Sequence, residues 1–384
     1  MSVGIQLTGL GAYVPANILR NEDMTRLVDT SDEWIVSRTG IRSRRVVAGD
    51  EGVVEMAIYA AHDALASGGL QGEDIDLILV ATSTSECVYP MVSCRVQQAI
   101  GAHRAAGFDL VAACTGFVNA MVVAKQFLMT GAAKNVLVVG SDVHSRVTDW
   151  TDRNTCILFG DGAGACVLSA VPASQNRVFH SDMHMDGGKG HYLTLGTAHQ
   201  NAPLVAPRSA INPLVYMNGR EVFKFAVGTV PLSIRTTVTG SGWTLADVDY
   251  LVLHQANSRI MDAMAEKLSL PMARLLVSMA DYGNTSAASI PIAINDAMLD
   301  GRMRPGQKIV MCGFGAGLSW ASIALEWSLA DKRQAAHCNT LTRSETLRKT
   351  VPLAAATDVC EGDRNHDAGA SHAHPRQLVA CGGG

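Results

Sequence analysis

No run in this 384-residue chain reaches the roughly 18 apolar residues that a membrane-spanning helix needs, which excludes a helical membrane protein. The opening MSVGIQLTGLGAYVP also lacks the charged start and long apolar stretch of a secretory signal, so a cytoplasmic protein is expected. Charge is scarce: Asp, Glu, Lys and Arg together make up 17 %, and the net charge of −4 excludes a generally basic nucleic-acid binder. The 9 cysteines are odd in number and show no C-x-x-C spacing, which argues against a disulfide framework or a zinc ribbon. Cys360, His366, His372 and His374 match no tight zinc spacing, so no metal site is expected.

What the chain does have is apolar residues, at 48 %, arranged as strand-like runs that alternate with helix-length segments. DIDLILVATS, GFDLVAAC, KNVLVVGSD, ACVLSAV, VDYLVLHQAN, QKIVMCGFG and SIALEW read as strands buried on both faces, hence an α/β architecture with helix-covered sheets. The pattern repeats. DIDLILV at 74–80 matches DVDYLVL at 247–253, and KNVLVVG at 134–140 matches QKIVMCG at 307–313, both at an offset of 173. Between these pairs, the turn around Cys114 corresponds within a few residues to YGNTSAAS at 282–289. Two similar halves follow, 1–170 and 220–330, joined by a less regular insert at 171–219. Residues 331–384 lack apolar periodicity and are expected to be a disordered tail.

Cys114 lies where the strand GFDLVAAC gives way to the helical pattern FVNAMVVAKQFLMTG. A helix N-terminus supplies the partial positive charge that lowers a thiol pKa, and Thr115 and Gly116 leave little bulk over the sulfur. Cys156, Cys166 and Cys312 lie inside strand-like runs and read as core; Cys87 and Cys94 flank a loop, and the pattern leaves their role open. His254 closes the buried run YLVL, where α/β sheets place their sites, and Asn284 lies in another strand-to-helix turn. Cysteine, histidine and asparagine from equivalent places in two halves suggest acyl-thioester chemistry. FGDGAGA at 159–165 fits G-x-G-x-x-[GA] but continues as a strand rather than opening a helix, so a dinucleotide site is rejected. GFGAGLSW at 313–320 lies between strands, where its backbone N–H groups can serve as oxyanion donors.

AACTGF around Cys114, HQAN at His254 and GNTSAAS at Asn284, with TSDEWIVSRTGIRSRR at 30–45, TDRNTCILFGDGAG at 151–164 and GFGAGLSW, make the chain resemble the 3-oxoacyl-[acyl-carrier-protein] synthase III family from about residue 3 to 328. The resemblance implies a thiolase-like, five-layered αβαβα fold built from two related halves, and a homodimer. It implies that Cys114 takes an acyl group from acetyl-CoA or another short acyl-CoA, and that malonyl-acyl carrier protein then condenses with it, losing CO₂. His254 and Asn284 would stabilise the enolate, and the backbone N–H groups of Cys114 and Ala316 would form the oxyanion hole. Thr30, Trp34, Arg38 and Arg153 would bind CoA, with Trp34 and Arg153 sandwiching the adenine. Lys224, Arg259 and Lys267 would form the carrier-protein docking face, with Glu266 where a second lysine is often found. Tyr89 would reach the acyl-pocket floor of the partner subunit. CoA thioester enters as substrate, and no further cofactor is implied. A polyketide-priming relative, or an acyl-CoA hydrolase, would use the same nucleophile.

Overall fold

The computed structural model describes residues 3–196, 212–330 and 340–351. The first half runs β1 (Val3–Tyr13), β2 (Asn17–Arg20), α1 (Asn21–Met24), α2 (Asp32–Thr39), β3 (Ser43–Val46), α3 (Val53–Gly68), β4 (Leu77–Ala81), α4 (Val92–Ala99), β5 (Ala106–Leu110), α5 (Gly116–Met129), β6 (Asn135–Val143) and β7 (Asp161–Pro172). The second runs β8 (Val178–Met185), the short pair β9 (Leu193–Thr194) and β10 (Tyr216–Met217), α6 (Gly219–Gly240), β11 (Tyr250–Leu253), α7 (Ser258–Leu268), α8 (Met279–Tyr282), α9 (Ser289–Leu299), β12 (Lys308–Gly315) and β13 (Ser319–Glu326). A last helix, α10 (Thr340–Thr350), follows.

The two main sheets have strand orders β1-β7-β6-β4-β5 and β11-β12-β13-β8. Inner strands such as β4 and the middle of β12 carry apolar residues at successive positions because each supplies two cores. In β4, Leu77 and Leu79 enter the core between the sheets, while Ile78 and Val80 pack under α3 and α4. In β12, Ile309 and Met311 face the same central core and Val310, Cys312 and Phe314 face α6 and α7. Helices α5 and α9 fill the centre: Phe117, Met121 and Leu128 of one meet Ile290, Ile294 and Met298 of the other in that core. The result is five layers, αβαβα.

The repeat holds at residue level. β4 and β11 start 173 positions apart, as do α5 and α9, and β6 and β12. The 3₁₀ turns Ala113–Thr115 and Ser286–Ala288 keep the same spacing, so Cys114 matches Ala287. Two boundaries need correction. The segment 171–219 is not merely a connecting insert, because β8 inside it pairs with β13 and completes the second sheet. Nor is 331–384 disordered throughout: residues 340–350 form α10, with Thr340, Ser344 and Leu347 on one buried face. Cys338, Cys360, Cys381 and the histidines near them lie outside the described residues. Cys87 is disulfide-bonded, an exception to the expected lack of disulfides, whereas Cys94, Cys114, Cys156, Cys166 and Cys312 are free. Cys156 is core as expected but sits in a turn, not a strand.

Candidate active site

Cys114 occupies the 3₁₀ turn that leads directly into α5, and it is buried. Its turn meets the equivalent turn of the second half: Ser286 Oγ donates to Cys114 Sγ at 3.5 Å. Both turns force a non-glycine residue into the left-handed region, Ala113 at φ 45° and Ser286 at φ 49°. Each such residue costs on the order of 1–3 kcal/mol, and strain of this kind persists where the surroundings over-determine the backbone. Asp142 supplies part of that determination. Its Oδ1 accepts from Ser83 N–H at 2.8 Å and Thr84 Oγ at 3.1 Å, and its Oδ2 accepts from Ala287 N–H at 3.3 Å, stitching β6 to the second turn.

The residue over the sulfur is Gly315, not Gly116. A Cβ on Gly315 would stand 3.0 Å from Cys114 Cβ and 3.4 Å from Sγ, so β12 approaches the nucleophile only because that atom is missing. Gly116 instead lets α5 close on β4, where an added Cβ would lie 2.8 Å from Ala81 Cβ. Thr115 is also turned away, its hydroxyl held by Ser319 Oγ at 2.8 Å.

His254 follows the last residue of β11, with its N–H on Cys312 O at 2.9 Å and its Nδ1 2.8 Å from Ser289 Oγ, at the start of α9. Its ring meets Phe314 edge-on at 5.3 Å. Asn284 is pinned through its backbone, N–H to Leu158 O at 2.8 Å and C=O from Gly160 N–H at 3.0 Å. Its Oδ1 accepts from Ser286 N–H at 2.9 Å. Both side chains are buried.

Electrostatics overturn one expectation. Burial pushes the Cys114 thiol up to about 12, with Asp142 adding to it and the Ser286 hydrogen bond opposing, so the thiol is not activated in the resting site. Burial likewise pushes His254 down to about 3, with His144 reinforcing the shift, so its imidazole is neutral. His144 stacks on Phe159 at 4.9 Å and is buried, with no hydrogen-bond partner at Nδ1 among the described residues.

A cavity of about 1170 Å³ opens onto Cys114. Its wall includes Thr84, Val111, His144, Phe159, Ala316 and Gly317, whereas His254 and Asn284 lie outside that lining. Trp34, on α2, carries Arg153 over its ring at 3.9 Å from guanidinium carbon to centroid, with Arg38 at 5.8 Å. Arg153 Nε and Thr30 Oγ1 are buried without hydrogen-bond partners among the described residues. The four residues expected to bind CoA thus include a cation–aromatic stack and two polar atoms in want of a partner. Of the three expected docking cations, all exposed, Arg259 lies 5.7 Å over Phe223. Lys224 is tied to Glu221 at 2.6 Å. Tyr89 is 84 % exposed beside Val88 and is not part of its own chain's cavity wall.

Models of the 3-oxoacyl-[acyl-carrier-protein (ACP)] synthase III family match residues 108–187 and, for its C-terminal part, 238–327. A beta-ketoacyl-[acyl-carrier-protein] synthase III of Nostoc sp. is 45 % identical over 329 residues, 85 % of this chain and 99 % of that one. The chain belongs to the 3-oxoacyl-[acyl-carrier-protein] synthase III family. As such it is an acyltransferase with the thiolase-like fold. The crystal structure of the family member from Aquifex aeolicus superposes with a TM-score of 0.79 at 39 % identity, over 84 % of this chain and 100 % of that one. The priming beta-ketosynthase of the R1128 polyketide pathway gives 0.79 at 35 % identity, over 85 % and 97 %. Among the described residues, no helix is long and apolar enough to cross a membrane.

The sequence alone does not single out Ser286 and Ser289, although both stand in the quoted GNTSAAS, nor Asp142 and His144. The signal that could have found the serines is their place in the second half's copy of the Cys114 turn. Nothing local marks Asp142 or His144, whose roles come from strands distant in sequence.

Proposed function

We propose that this chain initiates fatty acid synthesis by condensing a short acyl group, acetyl from acetyl-CoA, with malonyl-acyl carrier protein. The observation that carries the reading is the meeting of the two half-turns, Cys114 from one and Asn284–Ser286 from the other. Arg153 lies 3.9 Å over the Trp34 ring, so the incoming CoA parts the two, its purine entering between their flat faces with Thr30 and Arg38 beside them. The Cys114 thiol gives its proton to solvent and the resulting thiolate attacks the thioester carbonyl. The oxyanion takes hydrogen bonds from the N–H groups of Cys114 and Ala316, and the CoA thiolate leaves with a proton.

Malonyl-carrier protein then docks against Arg259 and Lys267, with Lys224 contributing once it exchanges Glu221 for a phosphate or carboxylate. Loss of CO₂ places negative charge on the malonyl thioester oxygen. Two neutral donors meet it there. Ser289 Oγ accepts Gln255 N–H at 3.3 Å and lies 2.8 Å from Nδ1 of His254; in the tautomer the reaction uses, the serine donates to Nδ1 and the ring proton is on Nε2. Asn284 has its carbonyl oxygen occupied by Ser286 N–H, which leaves its amide hydrogens free. The carbanion attacks the acyl-Cys114 carbonyl, giving 3-oxoacyl-carrier protein and the free thiol. The electron sink is the thioester itself, so the reaction calls for no metal or resident cofactor. Tyr89, exposed on one protomer, closes the acyl pocket of the other in a homodimer, and the reaction takes place in the cytoplasm.

The test is intact-protein mass spectrometry with acetyl-CoA, then malonyl-acyl carrier protein. Acetylation that is lost from Cys114→Ser, and cleared by the second substrate with CO₂ and 3-oxoacyl product, supports the reading. Clearance to acetate alone replaces it with a hydrolase. The likeness to the R1128 priming enzyme favours one second reading, the same chemistry with a longer or branched primer for polyketide assembly. Faster labelling by such a primer than by acetyl-CoA would select it.

A further inference from the structure

Helix α10 begins beyond residue 327, where the family match ends, yet it is built into the fold. Its inward face reaches three older elements. Ser344 Oγ accepts Val14 N–H at 2.9 Å, at the end of β1, and Arg343 pairs with Asp63 of α3 at 2.6 Å. Leu347 joins the apolar core under α3. The third attachment goes to α9. Thr340 donates to Asp296 Oδ1 twice, from N–H at 3.1 Å and from Oγ at 2.6 Å, and its Oγ accepts from Asn295 Nδ2 at 2.9 Å.

That same Asp296 oxygen takes a hydrogen bond from Tyr282 OH at 3.2 Å. Tyr282 stands two residues before Asn284. It packs with Ala12, Val14, Ala288 and Ile292 in a small apolar cluster against which Leu341 rests. Tyr282 and Ala288 therefore bracket the strained stretch that carries Asn284 and Ser286, and α10 touches that bracket at both a polar and an apolar point. From the inner side the stretch is held by Asp142, Leu158 and Gly160; from the outer side it is held by α10.

We propose that α10 is a positioning brace for the condensation half of the site, with Thr340 and Leu341 fixing the Asn284 turn through Asp296 and Tyr282. The proposal rests on the reading of Asn284 as a donor to the malonyl thioester. The brace touches the Asn284 turn and not the oxyanion donors Cys114 and Ala316. The same turn reaches Cys114 only through the long Ser286 Oγ–Sγ contact at 3.5 Å, so loosening it slows malonyl decarboxylation much more than acyl transfer to Cys114.

The experiment uses the full-length protein and times each half-reaction: acetylation by mass spectrometry, and CO₂ release from malonyl-carrier protein on the acetylated enzyme. Thr340→Val keeps the shape and removes the hydroxyl; Thr340→Ser restores it. Displacement of a catalytic group by a fraction of an ångström is worth roughly tenfold. Thr340→Val and Leu341→Ala should thus each slow CO₂ release about tenfold at saturating malonyl-carrier protein, with acetylation slowed far less and Thr340→Ser near wild type. Equal losses in both half-reactions, or CO₂ release at the wild-type rate in both folded variants, would overturn the brace. If Thr340→Val does not fold, Leu341→Ala is judged alone by the same two rates. Asn284→Ala serves as the separate check. If it releases CO₂ at the wild-type rate, the reading of the site fails and not merely the role of α10.

Discussion

Adding a single methyl group at Gly315 should separate geometry from chemistry in this site. The Cβ of Gly315→Ala would lie 3.0 Å from Cys114 Cβ, where carbon atoms settle at about 3.5–4.0 Å, so roughly 0.5–1 Å must be found. Neither side yields easily. β12 is clamped between β11 and β13, and Cys114 sits on a strained turn continuous with α5. The same Cβ would be 3.4 Å from Cys114 N, the donor assigned to the oxyanion, so sulfur and oxyanion hole are disturbed together. Overpacking of this kind costs on the order of 1–3 kcal/mol of stability. A displacement approaching 1 Å in a reacting group costs up to about 10² in rate. Acetylation of Gly315→Ala should therefore fall roughly 10- to 100-fold while the protein still unfolds cooperatively a few degrees below wild type. Gly228→Ala, inside α6, where an added Cβ meets nothing within 4 Å, should acetylate like wild type and melt at or slightly above it, since Ala in a helix interior is about 0.5–1 kcal/mol better than Gly. The assay is the rate of mass gain with acetyl-CoA beside a thermal melt. Wild-type acetylation by a folded Gly315→Ala would mean that the approach of β12 to the sulfur is not what shapes the site.

Five further outcomes follow from distances and charges already described. With the Cys114 thiol near 12, each unit of pH below that value changes the thiolate fraction about tenfold. Log acetylation rate should accordingly climb with a slope near one from about pH 6 to 9, and a plateau above pH 7 would refute the raised thiol. With His254 near 3, its imidazole keeps one protonation state across the same range, so CO₂ release from acetylated enzyme should stay flat; a fall toward pH 6 would contradict it. Trp34→Ala removes the stacking face under Arg153, an interaction worth about 1 kcal/mol or more. KM for acetyl-CoA should rise about tenfold with kcat unchanged, whereas a loss confined to kcat would place the nucleotide elsewhere. Arg259→Ala should raise KM for malonyl-carrier protein more than Lys224→Ala, because Lys224 already has Glu221 as a partner; the reverse order, read from initial rates at low salt, would refute that ranking. Tyr89→Gly should let C8 acyl-CoA label Cys114, and no gain with C8 would remove Tyr89 from the partner's pocket.

The limits of the sequence reading have physical causes. Inner strands were legible because burial on both faces writes an uninterrupted apolar run, as in LILVA of β4. Of the edge strands, β5 and β11 were legible in GFDLVAAC and VDYLVLHQAN, but β8 was not. β8, VFHSDMHM, borders only β13 and leaves its second half exposed, so its composition carries no strand signature and it was absorbed into an insert. Cys114 and Asn284 could be paired from the sequence because the internal repeat brings equivalent turns together, and that repeat proved to hold at an offset of 173 down to single residues. What a repeat cannot convey is the environment it creates. The helix N-terminus before α5 argued for an acidic thiol, but burial is the larger effect and turns the direction round, leaving a neutral thiol beside a neutral imidazole. A neutral resting nucleophile suits a site that must wait for its acyl donor, since a buried thiolate would be costly to hold with no substrate present. Helix α10 was missed for a related reason. Its sequence, TLTRSETLRKT, is polar by composition, and it docks through Thr340, Ser344, Arg343 and Leu347 onto polar partners that are scattered along the chain. A helix held mainly by such partners has no apolar stripe to announce it, so only the folded arrangement could identify that part of the tail as structure.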